Sequence, residues 1–103
     1  MSSKEILNWK VYILRVSDDS LYTGITTDIK RRWHEHCNTK KGAKYFRGKT
    51  PQEVVFLESG HDRSTASKRE AEIKKLSRKE KLTLIDKAES NKDYLVNITN
   101  DLV

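Results

Sequence analysis

Only one cysteine, one proline and one methionine occur among the 103 residues of this chain. The lone thiol, Cys37, excludes an internal disulfide and any zinc ribbon or ring-type site built from this chain alone. No apolar run approaches the roughly 18 residues that a membrane-spanning helix requires. Met1 to Trp9 carries no apolar block of the kind found in a secretory leader. These absences lead to the expectation of a soluble, cytoplasmic protein. A glycine-rich phosphate loop and a Gly-x-Ser-x-Gly elbow are also missing, and none of the histidines stands at metal-ligand spacing from Cys37. Between His36 and Gln52 there is no acidic residue at all.

What the chain has instead is charge. Charged and hydrophobic residues each make up 35%, and 21 Lys and Arg against 15 Asp and Glu leave a formal net charge of +6. A lean core under a strongly solvated surface follows, and a chain this short buries enough apolar area for one domain, not two. The acid-free stretch holds Lys40, Lys41, Lys44, Arg47 and Lys49 with Tyr45 and Phe46 among them. Cations that meet phosphates and rings that stack on bases suit nucleic acid. The same composition also describes an ordinary solvated loop.

Trp9 to Val16 and Leu21 to Thr26 are rich in β-branched and aromatic residues, and the turn formers Ser17 to Ser20 separate them, so a β-hairpin is expected. Thr27 or Asp28 can cap a helix that runs to about Asn38 with Ile29, Trp33 and Cys37 as its apolar stripe. On this spacing Cys37 is a core residue and His34 faces away. Thr39 to Thr50 reads as a loop, and Pro51 opens a third strand, Glu53 to Glu58, that ends at Ser59-Gly60. Ser64 can cap a second helix whose inner face carries Ala66, Ile73 and Leu76. Ser77 with Glu80 forms a capping box that starts a third, with Leu82, Ile85 and Ala88 inward. Tyr94 to Thr99 is either a short added strand or a loose tail.

Three features stand out on these elements. Arg32 flanks the stripe of the first helix, and His36 follows one turn on along the same side. A guanidinium there either serves a site or carries its stem over apolar surface to water. Glu70 lies between Ala66 and Ile73 on an inward face, where a carboxylate is costly unless it is paired, hydrogen-bonded or metal-bound; Lys74 at the next turn is a ready partner. Tyr12 and Tyr22, with Gly24, occupy adjacent strands. A four-residue loop, Ser17 to Ser20, sets the two phenols on opposite faces. A three-residue loop, Asp18 to Ser20, pairs Tyr12 with Thr26 and gathers Tyr12, Tyr22, Gly24 and Thr26 on one face. Gly24 leaves room for a backbone or phosphate to approach, or relieves crowding at a bulge.

In this order the features resemble the GIY-YIG nuclease family, in particular its small standalone bacterial members. The likeness covers Trp9 to Ile85. Lys10-Val11-Tyr12 corresponds to the first motif, with its Tyr but not its Gly, and Tyr22-Thr23-Gly24 to the second, with both Tyr and Gly. Arg32, His36, the Gly42-Ala43-Lys44-Tyr45 loop and Glu70 complete the pattern. The resemblance implies an α+β fold of the α/β sandwich type, with a three-stranded antiparallel sheet flanked by three helices. It implies a nuclease domain over residues 9–88, an N-terminal extension over 1–8, and a C-terminal extension over 89–103 that is partly disordered or adds a short strand.

The resemblance also implies hydrolysis of phosphodiester bonds, of DNA above all, with one Mg²⁺ or Mn²⁺. Glu70 then corresponds to the metal-binding carboxylate, Arg32 to the phosphate-binding arginine, Tyr12 and Tyr22 to the paired tyrosines that activate water, and His36 to an assisting residue. Gly24, Thr26, Lys40, Lys41, Lys44, Tyr45, Arg47 and Lys49 are the expected nucleic-acid contacts. The chain departs from the family at Lys10 and in having no clear counterpart of the Asn that some members place after the Glu helix. A non-catalytic or partner-dependent nucleic-acid-binding module, with a protein partner for targeting, is the alternative.

Overall fold

The computed structural model describes residues 6–38, 41–88 and 92–102. Its elements are β1 (Trp9–Val16), β2 (Leu21–Thr26), α1 (Ile29–Cys37), a single 3-10 turn (Lys44–Phe46), β3 (Pro51–His61), α2 (Arg63–Lys74), α3 (Arg78–Lys87) and α4 (Lys92–Leu102). The strands form an antiparallel sheet in the order β2-β1-β3. Among the described residues no helix is long and apolar enough to cross a membrane.

β1 is central, and Val11, Tyr12, Ile13 and Leu14 are all fully buried, because helices cover both faces of the strand. Tyr12, Leu14 and Val16 pack with Trp33 of α1, Phe46 of the 3-10 turn, and Leu95 and Leu102 of α4. Val11 and Ile13 pack on the opposite side with Ala66 and Ile73 of α2. A register shift in β3, where Ile13 faces Phe56 but Leu14 faces Val54, lets Val54 and Phe56 serve opposite layers.

The hairpin loop is Ser17 to Asp19, three residues, but one position earlier than the three-residue option above. Asp19 takes a left-handed φ of 71°, and the amide of Val16 donates to the carbonyl of Ser20 at 2.9 Å. Tyr12 therefore faces Gly24, not Thr26, while the even-numbered residues still share one face. β3 is longer than expected, because a second register shift carries it through Ser59-Gly60 to His61, opposite Trp9. α2 starts earlier than expected, since Asp62 and Thr65, not Ser64, make its reciprocal cap. Ser77 and Glu80 form the expected capping box of α3. Part of the expected basic loop winds into the 3-10 turn.

Two expectations are corrected. Residues 92–102 form a fourth helix, not an added strand or tail, because Leu95, Ile98 and Leu102 recur at helical spacing and reach the α1 face of the sheet. The amide of Val54 donates to Thr99 Oγ1 at 3.0 Å, and that hydroxyl donates in turn to the carbonyl of Leu95. Cys37, expected in the core, is exposed. The inward stripe of α1 runs Ile29, Trp33, His36 instead, since the imidazole finds a buried hydrogen-bond partner on β1.

Candidate active site

The even-numbered face of the hairpin and the inner side of α1 bring four of the singled-out residues together. Tyr12 Oη and His36 Nε2 lie 2.8 Å apart in a fully buried contact. The amide of Ala43 donates to His36 Nδ1 at 3.4 Å, so Nε2 carries the ring proton and donates to the phenol oxygen. Tyr22 stands edge-on to His36, with ring centroids 5.2 Å apart, and 6.2 Å from Tyr12. Phe46, outside the expected site, closes the cluster at 4.2 Å from His36 and 4.9 Å from Tyr22.

Two glycines permit this packing. A Cβ on Gly24 would fall 2.5 Å from Tyr12 Oη, and one on Gly42 would fall 2.6 Å from the carbonyl oxygen of Glu35. The first lets the Tyr12 ring lie across β2. The second lets the chain after α1 close over His36.

Arg32 is half-buried, donating to Glu35 Oε1 at 3.0 Å and to the carbonyl of Lys41 at 3.2 Å. Burial opposes its charge, but the hydrogen bond it donates to Glu35 and the proximity of Tyr12 and Tyr22 hold its pKa up. Burial, and then Tyr22 and Glu70, hold the Tyr12 phenol well above its usual range against the pull of Arg32. The Glu70 carboxylate pairs with Lys74 at 3.2 Å, the partner anticipated from the sequence.

Burial, followed by the charge of Arg32, pushes His36 down from 6.5 to about 4. Between those values the unfolded chain binds a proton that the folded chain does not. Stability is therefore complete above about 6.5 and is lost as pH falls towards 4. Urea unfolding should show about 2 kcal/mol less stability at pH 5 than at pH 7. His36→Gln should remove most of that difference, and an unchanged pH dependence in the variant would contradict the assignment.

The remaining expected contacts divide. Thr26 is buried and its hydroxyl is used locally, accepting from the amide of Asp28 and donating to the Asp28 carbonyl. Lys49 pairs with Asp18 at 3.0 Å and lies over the Tyr45 ring, whose hydroxyl donates to Ser20. Tyr45 also packs against Tyr22. Lys41, Lys44 and Arg47 point to solvent. Lys40 lies outside the described residues. Among the described residues no three His, Cys, Asp or Glu side chains converge as a metal cluster. Glu70 alone suits a hard divalent ion that keeps several waters and takes one or two carboxylates.

Residues 8–83 match the GIY-YIG catalytic domain. A UPF0213 protein of Desulfotalea psychrophila is 51% identical over 81 residues, which is 79% of this chain and 74% of that protein. The UPF0213 protein YhbQ of Salmonella typhimurium is 43% identical over 82 residues, 80% of this chain and 81% of its own length. The solution NMR structure of the UPF0213 protein BH0048 from Bacillus halodurans is 42% identical, covering 76% of this chain and 82% of that one with a TM-score of 0.49.

Proposed function

The chain belongs to the GIY-YIG catalytic-domain family, and on that premise we propose that it is a metal-dependent endonuclease acting on DNA. The observation that carries the reading is the meeting of Tyr12, Tyr22 and His36 beside the Arg32 guanidinium. A phosphodiester repels attack through its anionic oxygens, so cleavage requires positive charge at the phosphate and a group that takes a proton from water.

Arg32 supplies the first with a planar fork held by Glu35. Tyr22 supplies the second. It is half-buried and stands edge-on to His36. Tyr12 is poorly suited to that job, being fully buried, raised in pKa and hydrogen-bonded to His36. Its part is to fix the aromatic cluster, with His36 setting its orientation. Glu70 would hold a Mg²⁺ or Mn²⁺ ion, which when bound supplies Lewis acidity at the phosphate.

The test is cleavage of end-labelled single-stranded, duplex and branched DNA and RNA with Mg²⁺, Mn²⁺ or EDTA. Metal-dependent cutting that Arg32→Ala lowers about a hundred-fold or more supports the reading. Binding without cutting under every condition would instead favour a non-catalytic module, a role with which the Glu70–Lys74 ion pair is compatible. Lys41, Lys44 and Arg47 should make the affinity fall with salt, and salt-independent binding would remove them from the interface.

A further inference from the structure

Arg32 also lines a shallow cleft of about 310 Å³ between the β2–α1 turn and the start of α2. Its wall is Trp9, its rim carries Arg31 and Arg63, and Glu35 is its only carboxylate among the described residues. Glu35 is already taken up by Arg32 at 3.0 Å and lies at 3.9 Å from Arg31. The Arg63 guanidinium lies 5.8 Å from the centre of the Trp9 ring, and no carboxylate pairs with it among the described residues.

Resting on the nuclease reading, we propose that this cleft holds one unpaired nucleotide next to the scissile phosphate. Its base stacks on Trp9, and its phosphate is held by Arg31 and Arg63. Three features carry this. The volume lies at the lower end of the range for small-ligand pockets, about 300–1,000 Å³, which matches a single nucleotide. An indole wall offers a base a π-face, which paired bases inside a helix cannot use. Arginines outnumber the one carboxylate, and Arg32 joins the cleft directly to the aromatic cluster. The site would then select substrates with a single-stranded nucleotide flanking the cut.

The experiment uses the full chain carrying Glu70→Gln, in EDTA, titrated with fluorescein-labelled oligothymidylate and with a blunt hairpin duplex. Anisotropy reads affinity and intrinsic tryptophan fluorescence reads stacking. Trp33 is 2% exposed, so a change in emission on binding reports Trp9. The single strand should bind several-fold tighter than the duplex and quench emission. Arg63→Ala, at an exposed position, should weaken single-strand binding about ten-fold and diminish the quench. Trp9→Phe, which keeps a ring in the core packing, should retain most of the affinity and lose the quench.

Single-strand binding without a quench, or with Arg63→Ala matching the parent, would overturn the cleft assignment. If the Glu70-bearing chain still cuts DNA in that case, the nuclease reading stands. If the quench and the Arg63 effect appear but no metal-dependent cutting does, the cleft stands and the nuclease reading falls.

Discussion

Glu70→Gln is expected to lower metal-dependent cleavage of a labelled oligonucleotide about a hundred-fold or more, with the fold intact. The two halves of this expectation have separate grounds. The side chain is 23% exposed, and its one ion-pair partner among the described residues is Lys74, one turn along the same helix. Such an i,i+4 pair is worth about 0.3–0.5 kcal/mol, so its loss scarcely alters the melting temperature. The glutamine keeps the volume between Ala66 and Ile73 and removes the anion that a hard divalent ion needs. Lys74→Ala makes the complementary comparison, since it frees the carboxylate and should preserve cleavage. Cleavage assays and thermal unfolding on both variants decide the matter. An active, folded Glu70→Gln protein would take Glu70 out of the site.

Gly24→Ala is expected to destabilise the domain by about 1–3 kcal/mol and to depress cleavage as well. The added Cβ would meet Tyr12 Oη at 2.5 Å and Cζ at 2.6 Å. The ring cannot simply swing aside, because it is fully buried, bonded to His36 and packed beside Tyr22. Either the strands part or the phenol leaves the imidazole. Urea unfolding reads the first result. A weakened pH dependence between pH 7 and 5 reads the second, since it originates in the environment of His36. A variant as stable as the parent, with the same pH profile, would show that the ring has room that the structure denies it.

Local signals were the most legible from sequence. The hairpin, the Asp28 cap of α1 and the Ser77–Glu80 box at the start of α3 depend on residues within a few positions of one another. Harder to read were choices made by packing between distant elements. Tyr94 to Thr99 is rich in residues favoured in strands, yet Leu95, Ile98 and Leu102 together bury a helical face. Cys37 and His36 are adjacent positions near one stripe, and the Tyr12 hydroxyl on another element decides between them. The same-face arrangement of the tyrosines was one of two hairpin options. The actual loop, Ser17 to Asp19, begins one residue earlier than the three-residue option, which changes the partner of Tyr12 from Thr26 to Gly24.

Phe46 and the Trp9–Arg63 cleft had no short-range signature. Each draws on residues from several elements that only the sheet brings together.

In a three-stranded sheet with β1 at the centre, both β2 and β3 lie at edges. β3 is the longer, at 11 residues. An uncovered edge of that length is a template on which the strand of another molecule can dock, and repeated docking builds aggregates. α4 lies over β3, and Thr99 already occupies the amide of Val54. The last helix therefore does more than close the core: it engages a backbone donor on the longer edge of the sheet that the strand of another molecule could otherwise capture.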